Sequence, residues 1–264
     1  MTSLRKSYNP EDIAKALDTI GVRRGDVMFS HLSLGSLGLP TGCRTSAEIC
    51  SVVHEGVRRV LGPTGTFVVP TYTYSFTDGE DYDSVTSPSK TGPFPEYFRN
   101  ASGVIRSNDP IFSVAAEGPE ANELIYNLPP SSFGPDCIYE RMMKLGGINA
   151  NFGLDIEFNT FVHFVEEMEQ VSYRYNKSFT SQYINDKGIE NTKTYDMYVR
   201  DIENNVLAYF EPLENLFTKN DAMKKYMMDE LVIREVDLYK AYNIIENDIR
   251  NNNAKSLYKI GENN

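Results

Sequence analysis

The sequence contains few cysteines and no long apolar run. These two features argue against a disulfide-bonded protein and against a membrane protein. The three cysteines, Cys43, Cys50 and Cys137, form no CxxC spacing and leave one residue over in any disulfide scheme. We therefore expect reduced thiols and a cytoplasmic location. No stretch approaches the roughly 20 apolar residues of a membrane helix, and the first residues form no apolar signal segment. The sequence thus predicts no membrane association.

Several common catalytic motifs are also missing. There is no GxSxG nucleophile elbow, no Walker-type phosphate loop and no GxGxxG. Their absence argues against serine hydrolysis, nucleotide hydrolysis and hydride transfer. The formal net charge of -11 argues against nucleic acid as a partner, because nucleic acids require basic surfaces. The same charge is compatible with a cationic small substrate.

The apolar pattern of the first 70 residues predicts an α/β unit. Pro10–Ile20 has an amphipathic helical pattern, with Asn9 as its expected N-cap. Val27–Phe29 and Thr66–Pro70 are short apolar runs typical of buried strands, and a helical pattern from Ser46 to Leu61 separates them. Strand, helix and strand in this order favour a parallel crossover.

The rest of the chain has a less regular pattern. Residues 72–92 form a long polar segment, and segments of that length inside a domain are usually functional. Residues 195–200 alternate as an antiparallel edge strand would. Residues 213–227 and 238–251 have amphipathic helical patterns. We predict one domain over residues 1–264, with possible substructure at 1–150 and 151–250 and a frayed tail over 251–264.

The three histidines lie in different sequence contexts, and each context predicts a different role. His54 lies among valines in a predicted helix, which favours a structural or surface role. His31 directly follows a predicted strand and opens a Ser/Gly loop, where ligands often bind in α/β proteins. His163 and Glu166 lie three residues apart in a predicted helix capped by Thr160, so they share one face.

The His163 and Glu166 pair fits a general base with a carboxylate partner. The carboxylate would fix the tautomer, raise the basicity of the imidazole and leave its other nitrogen free to accept a proton. A surface ion pair would give the same spacing. A zinc site would need a third protein ligand, and only His31 or a distant acid is available, so we predict no metal.

Six ordered segments resemble the aminoglycoside 3-N-acetyltransferase family. Residues 61–72 are similar to its "LG-x-x-GTLV-x-PT" block, and residues 159–166 match "NT-x-x-H-x-x-E". The other similar segments are residues 25–38, 86–99, 106–118 and 173–179. The resemblance extends from about residue 10 to residue 180. It implies an α/β fold with a central mixed sheet flanked by helices, with a coenzyme A groove within residues 1–150 and an acceptor side within 151–250.

The resemblance also implies a reaction and its residues. It makes the protein an enzyme that transfers an acyl group from acyl-CoA to an amine, with His163 as the base and Glu166 as its partner. Residues that would bind coenzyme A are His31, Ser33, Leu34, Gly35, Ser36, Arg106, Ser107 and Ser113. No metal is required for this chemistry.

The predicted acceptor depends on one substitution and one segment. Asp109 stands where the family has histidine, and residues 173–179 resemble members that act on sugars of surface polysaccharides. We predict a nucleotide-linked, dTDP-type aminodeoxyhexose as the acceptor. The residues predicted to bind it are Tyr72, Asp78, Asp109, Arg174 and Lys177. The alternatives are an aminoglycoside acceptor, as in antibiotic resistance, and a non-catalytic acyl-CoA or sugar binding module. A homodimer is compatible with the sequence.

Overall fold

A computed structural model describes residues 7–228 and 231–261. The strands are β1 (Val27–Phe29), β2 (Thr66–Pro70), β3 (Tyr82–Asp83), β4 (Ile105–Arg106), β5 (Val114–Glu117), β6 (Ile148–Phe152), β7 (Arg174–Ile184), β8 (Glu190–Arg200), β9 (Val206–Ala208), β10 (Met223–Met228), β11 (Leu231–Asp237) and β12 (Tyr258–Ile260). The helices are α1 (Pro10–Ile20), α2 (Ser46–Leu61), α3 (Pro93–Arg99), α4 (Ala121–Ile125), α5 (Ile138–Lys144), α6 (Phe161–Met168), α7 (Glu211–Lys219) and α8 (Leu238–Asn252).

The central sheet has seven strands in the order β10-β11-β6-β1-β2-β5-β4. Strand β1 pairs in parallel with β2 and with β6, whereas the other neighbours pair antiparallel. The chain passes from β1 to β2 through α2, which is the predicted parallel crossover. The predicted α/β fold with a central mixed sheet flanked by helices is confirmed.

Both faces of this sheet are buried. Met28 points into a core formed with α1, α2 and α3, while its neighbours Val27 and Phe29 point into the core under α4 to α8. This alternation follows from the two-residue period of a strand, and it explains why β1 is apolar at every position. Among the described residues, no helix is long and apolar enough to cross a membrane.

A separate three-stranded sheet has the order β3-β7-β8. Strands β7 and β8 form a long antiparallel hairpin in which Arg174 pairs with Arg200 at the open end and Ile184 pairs with Glu190 near the turn. The strand predicted over residues 195–200 is confirmed as part of β8, which is an edge strand. Because α6 runs directly into β7, the open end of the hairpin lies beside His163.

One predicted helix is only half correct. The helix predicted over residues 213–227 ends at Lys219, Asp221 adopts a left-handed φ of 52°, and β10 begins at Met223. The apolar residues at 223 and 226–227 suited a helix and a strand alike, and pairing with β11 decides between them. The helix predicted over residues 238–251 is confirmed as α8.

The tail was also expected to fray from residue 251, and this prediction is wrong for the described part. Leu257 is buried, and Ser256 donates hydrogen bonds to the Asp248 carboxylate from both its backbone N–H and its hydroxyl. Strand β12 then pairs with β9. Buried contacts and strand pairing therefore hold the chain through residue 261, and residues 262–264 lie outside the described part.

Candidate active site

A cavity of about 750 Å³ opens at the carboxyl ends of the three parallel strands. His31 follows β1, Tyr72 follows β2 and Leu154 follows β6, so the segment after each strand contributes to the wall at the same edge of the sheet. Ligand sites of α/β proteins form at this edge. His163 on α6 and Phe210 before α7 complete the opposite wall.

A glycine brings the loop after β1 close to the end of β6. Gly153 has a φ of +66°, and a Cβ placed there would lie 2.7 Å from Ser36 Cβ. The backbone N–H of Ser33 donates to the Phe152 carbonyl at 3.0 Å, and the hydroxyls of Ser33 and Ser36 lie 2.9 Å apart. Glycine at residue 153 thus permits the Ser/Gly loop to form one wall of the cavity.

His163 and Glu166 form the pair that the sequence predicts. His163 Nδ1 lies 2.8 Å from Glu166 Oε2, and the side chains are 20% and 0% exposed, respectively. Helical spacing of three residues places both on one face of α6. Phe133 and Phe210 pack against the imidazole with ring centroids 5.3 and 5.8 Å away. One ring edge therefore remains accessible from the cavity while the other is held by a buried carboxylate.

Two residues at the start of the hairpin hold Glu166. The Tyr173 hydroxyl donates to Oε1 at 2.9 Å. Arg174 Nε lies 2.8 Å from Oε2, which is ion-pair distance without the alignment of a hydrogen bond. Arg174 Nη2 also lies 3.0 Å from His163 Nδ1. Glu166 is thus the centre of a buried network of one base, one cation and one phenol.

The two contacts at His163 Nδ1 favour different tautomers, because the Glu166 carboxylate accepts from a protonated Nδ1 whereas Arg174 Nη2 can donate only to an unprotonated one. We assign the tautomer from the shorter contact, to Glu166. An unprotonated Nδ1 would direct its lone pair at the Glu166 carboxylate oxygen, so Nδ1 carries the proton and donates it to Glu166. Nε2, which has no hydrogen-bond partner among the described residues, then carries the free lone pair. This is the arrangement that a general base requires.

The sequence predicts that Glu166 raises the basicity of His163, but in the structure burial and Arg174 outweigh this effect. Burial lowers the pKa of His163 below its usual value, Arg174 lowers it further, and Glu166 raises it only in part. Burial raises the pKa of Glu166, but the hydrogen bond from His163 and the charge of Arg174 outweigh it and hold that pKa below its usual value. The imidazole is therefore neutral and the carboxylate charged near neutral pH.

His31 is a buried neutral residue on the cavity wall. Burial lowers its pKa to about 3, and its Nε2 lies 3.1 Å from the Thr160 hydroxyl. Thr160 was expected to cap α6 with that hydroxyl, but the Thr160 side chain makes no cap hydrogen bond. Through its contact with His31, Thr160 instead links the N-terminus of α6 to the loop after β1. His54 has a structural role as expected, with Nε2 2.7 Å from the Glu117 carboxylate.

The residues predicted to bind coenzyme A divide into two groups. His31, Ser33, Leu34 and Gly35 line the main cavity, and Ser36 lies behind them. The remaining three do not line it: they are Arg106, Ser107 and Ser113. The Arg106 guanidinium donates to the carbonyls of Thr71 and Ser87. The Ser113 hydroxyl donates to the Thr71 carbonyl, and Ser107 accepts from the Val114 N–H. These three residues are engaged in holding β4, β5 and the loop after β2.

The residues predicted to bind the acceptor are scattered as well. Tyr72 lines the main cavity, but Asp78 is exposed and pairs with Lys90 at 2.7 Å. Asp109 is buried, and its carboxylate accepts the backbone N–H groups of Ile111 and Phe112 at 2.8 Å each. Asp109 therefore fixes a turn and lines neither cavity that contains His163.

Arg174 and Lys177 line a second cavity of about 350 Å³ on the hairpin side of His163. Arg174 was predicted to pair with a substrate pyrophosphate, but its guanidinium already contacts Glu166 and the Tyr198 carbonyl. Lys177 is exposed and has no such partner among residues 7–228 and 231–261. His163 is common to both cavities and therefore lies at their junction.

Sequence reasoning missed several site residues. Asn159 is buried on the main cavity wall, and both polar atoms of its amide lack a partner among the described residues. A buried amide without a partner on a cavity wall is a polar group that the described residues leave unsatisfied. Asn159 opens the "NT-x-x-H-x-x-E" segment, which could have indicated it. Phe210 and Arg200 stand in no recognisable motif.

Comparison with known proteins identifies the family of this chain. The family model described as aminoglycoside 3-N-acetyltransferase matches residues 30–249. The chain belongs to this family. Aminoglycoside N(3)-acetyltransferase IV of Salmonella sp is 31% identical over 175 residues, which are 64% of this chain and 63% of that protein. The Streptomyces paromomycinus enzyme VII is 28% identical over 176 residues, 59% of each chain.

Solved structures of aminoglycoside acetyltransferases have the same fold. The AAC(3)-IVa apoenzyme matches with a TM-score of 0.78 and 22% identity, over 96% of this chain and 93% of that one. An AAC-IIIb binary complex with CoASH matches with a TM-score of 0.79 and 16% identity, over 94% and 98%. The sequence matches span about three fifths of the length of the curated relatives. Membership of the family, predicted from the motifs, is confirmed.

Proposed function

We propose that the protein is a coenzyme A-dependent N-acetyltransferase that acetylates an amine of an aminoglycoside. The observation that carries the proposal is His163, whose Nδ1 is held by a buried carboxylate while its other ring edge borders a large cavity. The relatives are named for aminoglycosides, and structural neighbours were solved with a gentamicin and with sisomicin. None of these comparisons supports the nucleotide-linked amino sugar predicted from the sequence, and they favour the aminoglycoside alternative.

In this proposal the residues of the chain move one proton. A sugar ammonium must become a neutral amine before it can attack a thioester carbonyl. The ammonium loses this first proton to solvent. As the neutral amine attacks, His163 Nε2 accepts a second proton from the attacking nitrogen, and the charged Glu166 stabilises the imidazolium that forms. A C–N bond forms and the C–S bond breaks, after which the imidazolium returns the proton to the departing thiolate. The N–H groups of Leu34 and Gly35 stabilise the oxyanion of the tetrahedral intermediate, because those of Ser33 and Ser36 already donate to backbone carbonyls.

We further propose that the thioester arm lies in the main cavity. The cavity volume suits a drug-sized ligand, and the Asn159 amide would pair with the amides of the arm. The wall draws residues from both the 1–150 and the 151–250 segments. The predicted coenzyme A groove within residues 1–150 would therefore form only part of this wall. The three cysteines are unpaired, and we propose a reducing, cytoplasmic location.

Thiol release tests the proposal. The purified protein is mixed with acetyl-CoA and gentamicin or apramycin, free thiol is followed with a chromogenic disulfide, and the product mass is measured. We expect thiol release that requires both substrates, and a product heavier by one acetyl group. Binding of acetyl-CoA without thiol release, over a panel of amines, would instead support a non-catalytic binding module.

A further inference from the structure

Glu157 places a negative charge on the wall of the main cavity. It is the one carboxylate among the described residues that line this cavity. The residue is exposed, and within the described part of the chain no cation lies at ion-pair distance from it. Lys90 also lines the cavity, but its ammonium is paired with Asp78 and Glu80 at 2.7 and 3.2 Å. The cavity therefore presents an unbalanced negative charge to a cationic ligand.

The N-terminus of α7 holds this carboxylate in one orientation. Glu157 Oε1 accepts the backbone N–H groups of Phe210 and Glu211 at 3.1 and 2.8 Å. The helix dipole favours a negative charge at this end of α7. Oε2 has no hydrogen-bond partner in residues 7–228 and 231–261, so it remains available to a ligand. A carboxylate fixed through one oxygen loses little conformational freedom when it binds through the other.

Phe210 connects Glu157 to the proposed base. Its backbone N–H bonds the Glu157 carboxylate, and its ring packs against His163 with ring centroids 5.8 Å apart. All three residues line the main cavity. The width of one residue therefore separates the negative charge from the imidazole, and a ligand with two amines can contact both groups at once.

We propose that Glu157 binds a second ammonium group of the acceptor while another amine of the same molecule reacts at His163. The proposal rests on the proposed function, because His163 must act on an amine for Glu157 to hold a second one. It deepens that function by naming the feature that selects the acceptor, which is more than one ammonium group on a molecule. The main cavity, at about 750 Å³, has room for an aminated ring beside the thioester arm. The cavity on the hairpin side does not suit such groups, because its lining contains Arg174, Lys177 and Arg200.

Steady-state kinetics with gentamicin test this ammonium subsite. Glu157→Gln removes the charge but keeps a carbonyl oxygen that can accept the two N–H groups of α7. We expect KM for gentamicin to rise by about tenfold, because a hydrogen bond between charged groups contributes about that factor. The kcat should stay within about twofold, since the reacting amine lies at His163. KM for acetyl-CoA should not rise, because the donor is an anion.

Two further variants separate a contact from a structural effect. Glu211→Gln is the matched control, because it removes an exposed charge at the same helix terminus from a side chain that lines neither cavity. Glu157→Ala removes the acceptor of the two N–H groups together with the charge. If only Glu157→Ala raises KM, Glu157 serves the fold of α7 and the subsite is refuted. An equal rise with Glu211→Gln would also refute it, because the effect would then come from net charge.

Calorimetry separates this inference from the acetyl-transfer proposal. Gentamicin is titrated into the wild type, Glu157→Gln and Glu211→Gln in the presence of coenzyme A, which has no acetyl group to donate. A Kd raised about tenfold in Glu157→Gln alone supports the subsite even if no amine is acetylated. Equal Kd values, or no binding to the wild type, would refute it. Gentamicin acetylated with the same KM by Glu157→Gln and the wild type would leave the proposed reaction intact and refute the subsite.

Discussion

Glu166→Gln should weaken both catalysis and folding, because one carboxylate serves three partners. Its oxygens contact His163 Nδ1, the Tyr173 hydroxyl and Arg174 Nε, at 2.8, 2.9 and 2.8 Å. Without the negative charge the pKa of His163 falls further, so the acidic limb of the pH profile of kcat/KM moves to lower pH. A neutral amide at residue 166 can also donate to Nδ1, which allows the unproductive tautomer and lowers kcat.

The stability cost follows from the burial of Arg174. Its side chain is 5% exposed, and the substitution leaves this guanidinium without a counter-charge. Removing one partner of a buried ion pair typically costs about 3–5 kcal/mol. For a chain of this size, each kcal/mol lowers Tm by roughly 2–4 °C. We therefore expect Tm to fall by about 6–20 °C.

A double-mutant cycle with Arg174→Met tests whether the unpaired charge of Arg174 causes the loss of stability. Once the arginine is removed, Glu166→Gln no longer strands a charge, so the doubly substituted protein should be more stable than the sum of the single changes implies, by roughly 0.5–3 kcal/mol. Urea unfolding of the four proteins gives the coupling directly. Additive single effects, or a Glu166→Gln protein as stable as the wild type, would refute the ion-pair reasoning.

Three further outcomes are expected from the same site. Arg174→Met should move the acidic limb of kcat/KM to higher pH, since Arg174 lowers the pKa of His163; an unmoved limb would contradict this. Tyr173→Phe removes a hydrogen bond to a buried carboxylate and should lower the free energy of unfolding by about 1.5–3 kcal/mol in urea titrations, whereas an unchanged midpoint would contradict the contact. Activity should survive EDTA, because no group of three metal-ligating side chains exists among the described residues; stoichiometric zinc whose removal abolishes turnover would disprove a metal-free reaction.

The sequence predicted the parts of this fold that depend on local patterns. Pro10–Ile20 is a helix capped by Asn9, and Val27–Phe29 and Thr66–Pro70 are parallel strands, because apolar period and capping residues act over a few positions. Helical spacing predicted that His163 and Glu166 share one face of α6, and the family resemblance selected this pair over a surface ion pair. The break after Lys219 could not be predicted, since β10 exists through its pairing with a strand further along the chain.

Long-range contacts also decided which predicted site residues meet. Arg174 is eight positions from Glu166 and on a different element, so only the turn from α6 into β7 brings their side chains together. Asp109 was expected at the acceptor, but its carboxylate is satisfied by the N–H groups two and three residues later. Arg200 carries no motif and lines the same cavity as His163 because the hairpin register places it opposite Arg174.

The most direct test of His163 as the general base is the turnover of His163→Asn. His54→Asn is its matched control, since His54 bonds Glu117 beneath α2 and lines neither cavity. With acetyl-CoA and a saturating acceptor near neutral pH, kcat of His163→Asn should fall by about 10²–10⁴ while acetyl-CoA still binds, as expected for loss of a general base. His54→Asn should keep near wild-type turnover. If His163→Asn retains more than about a tenth of the wild-type kcat, His163 is not the base and the mechanism proposed here is wrong.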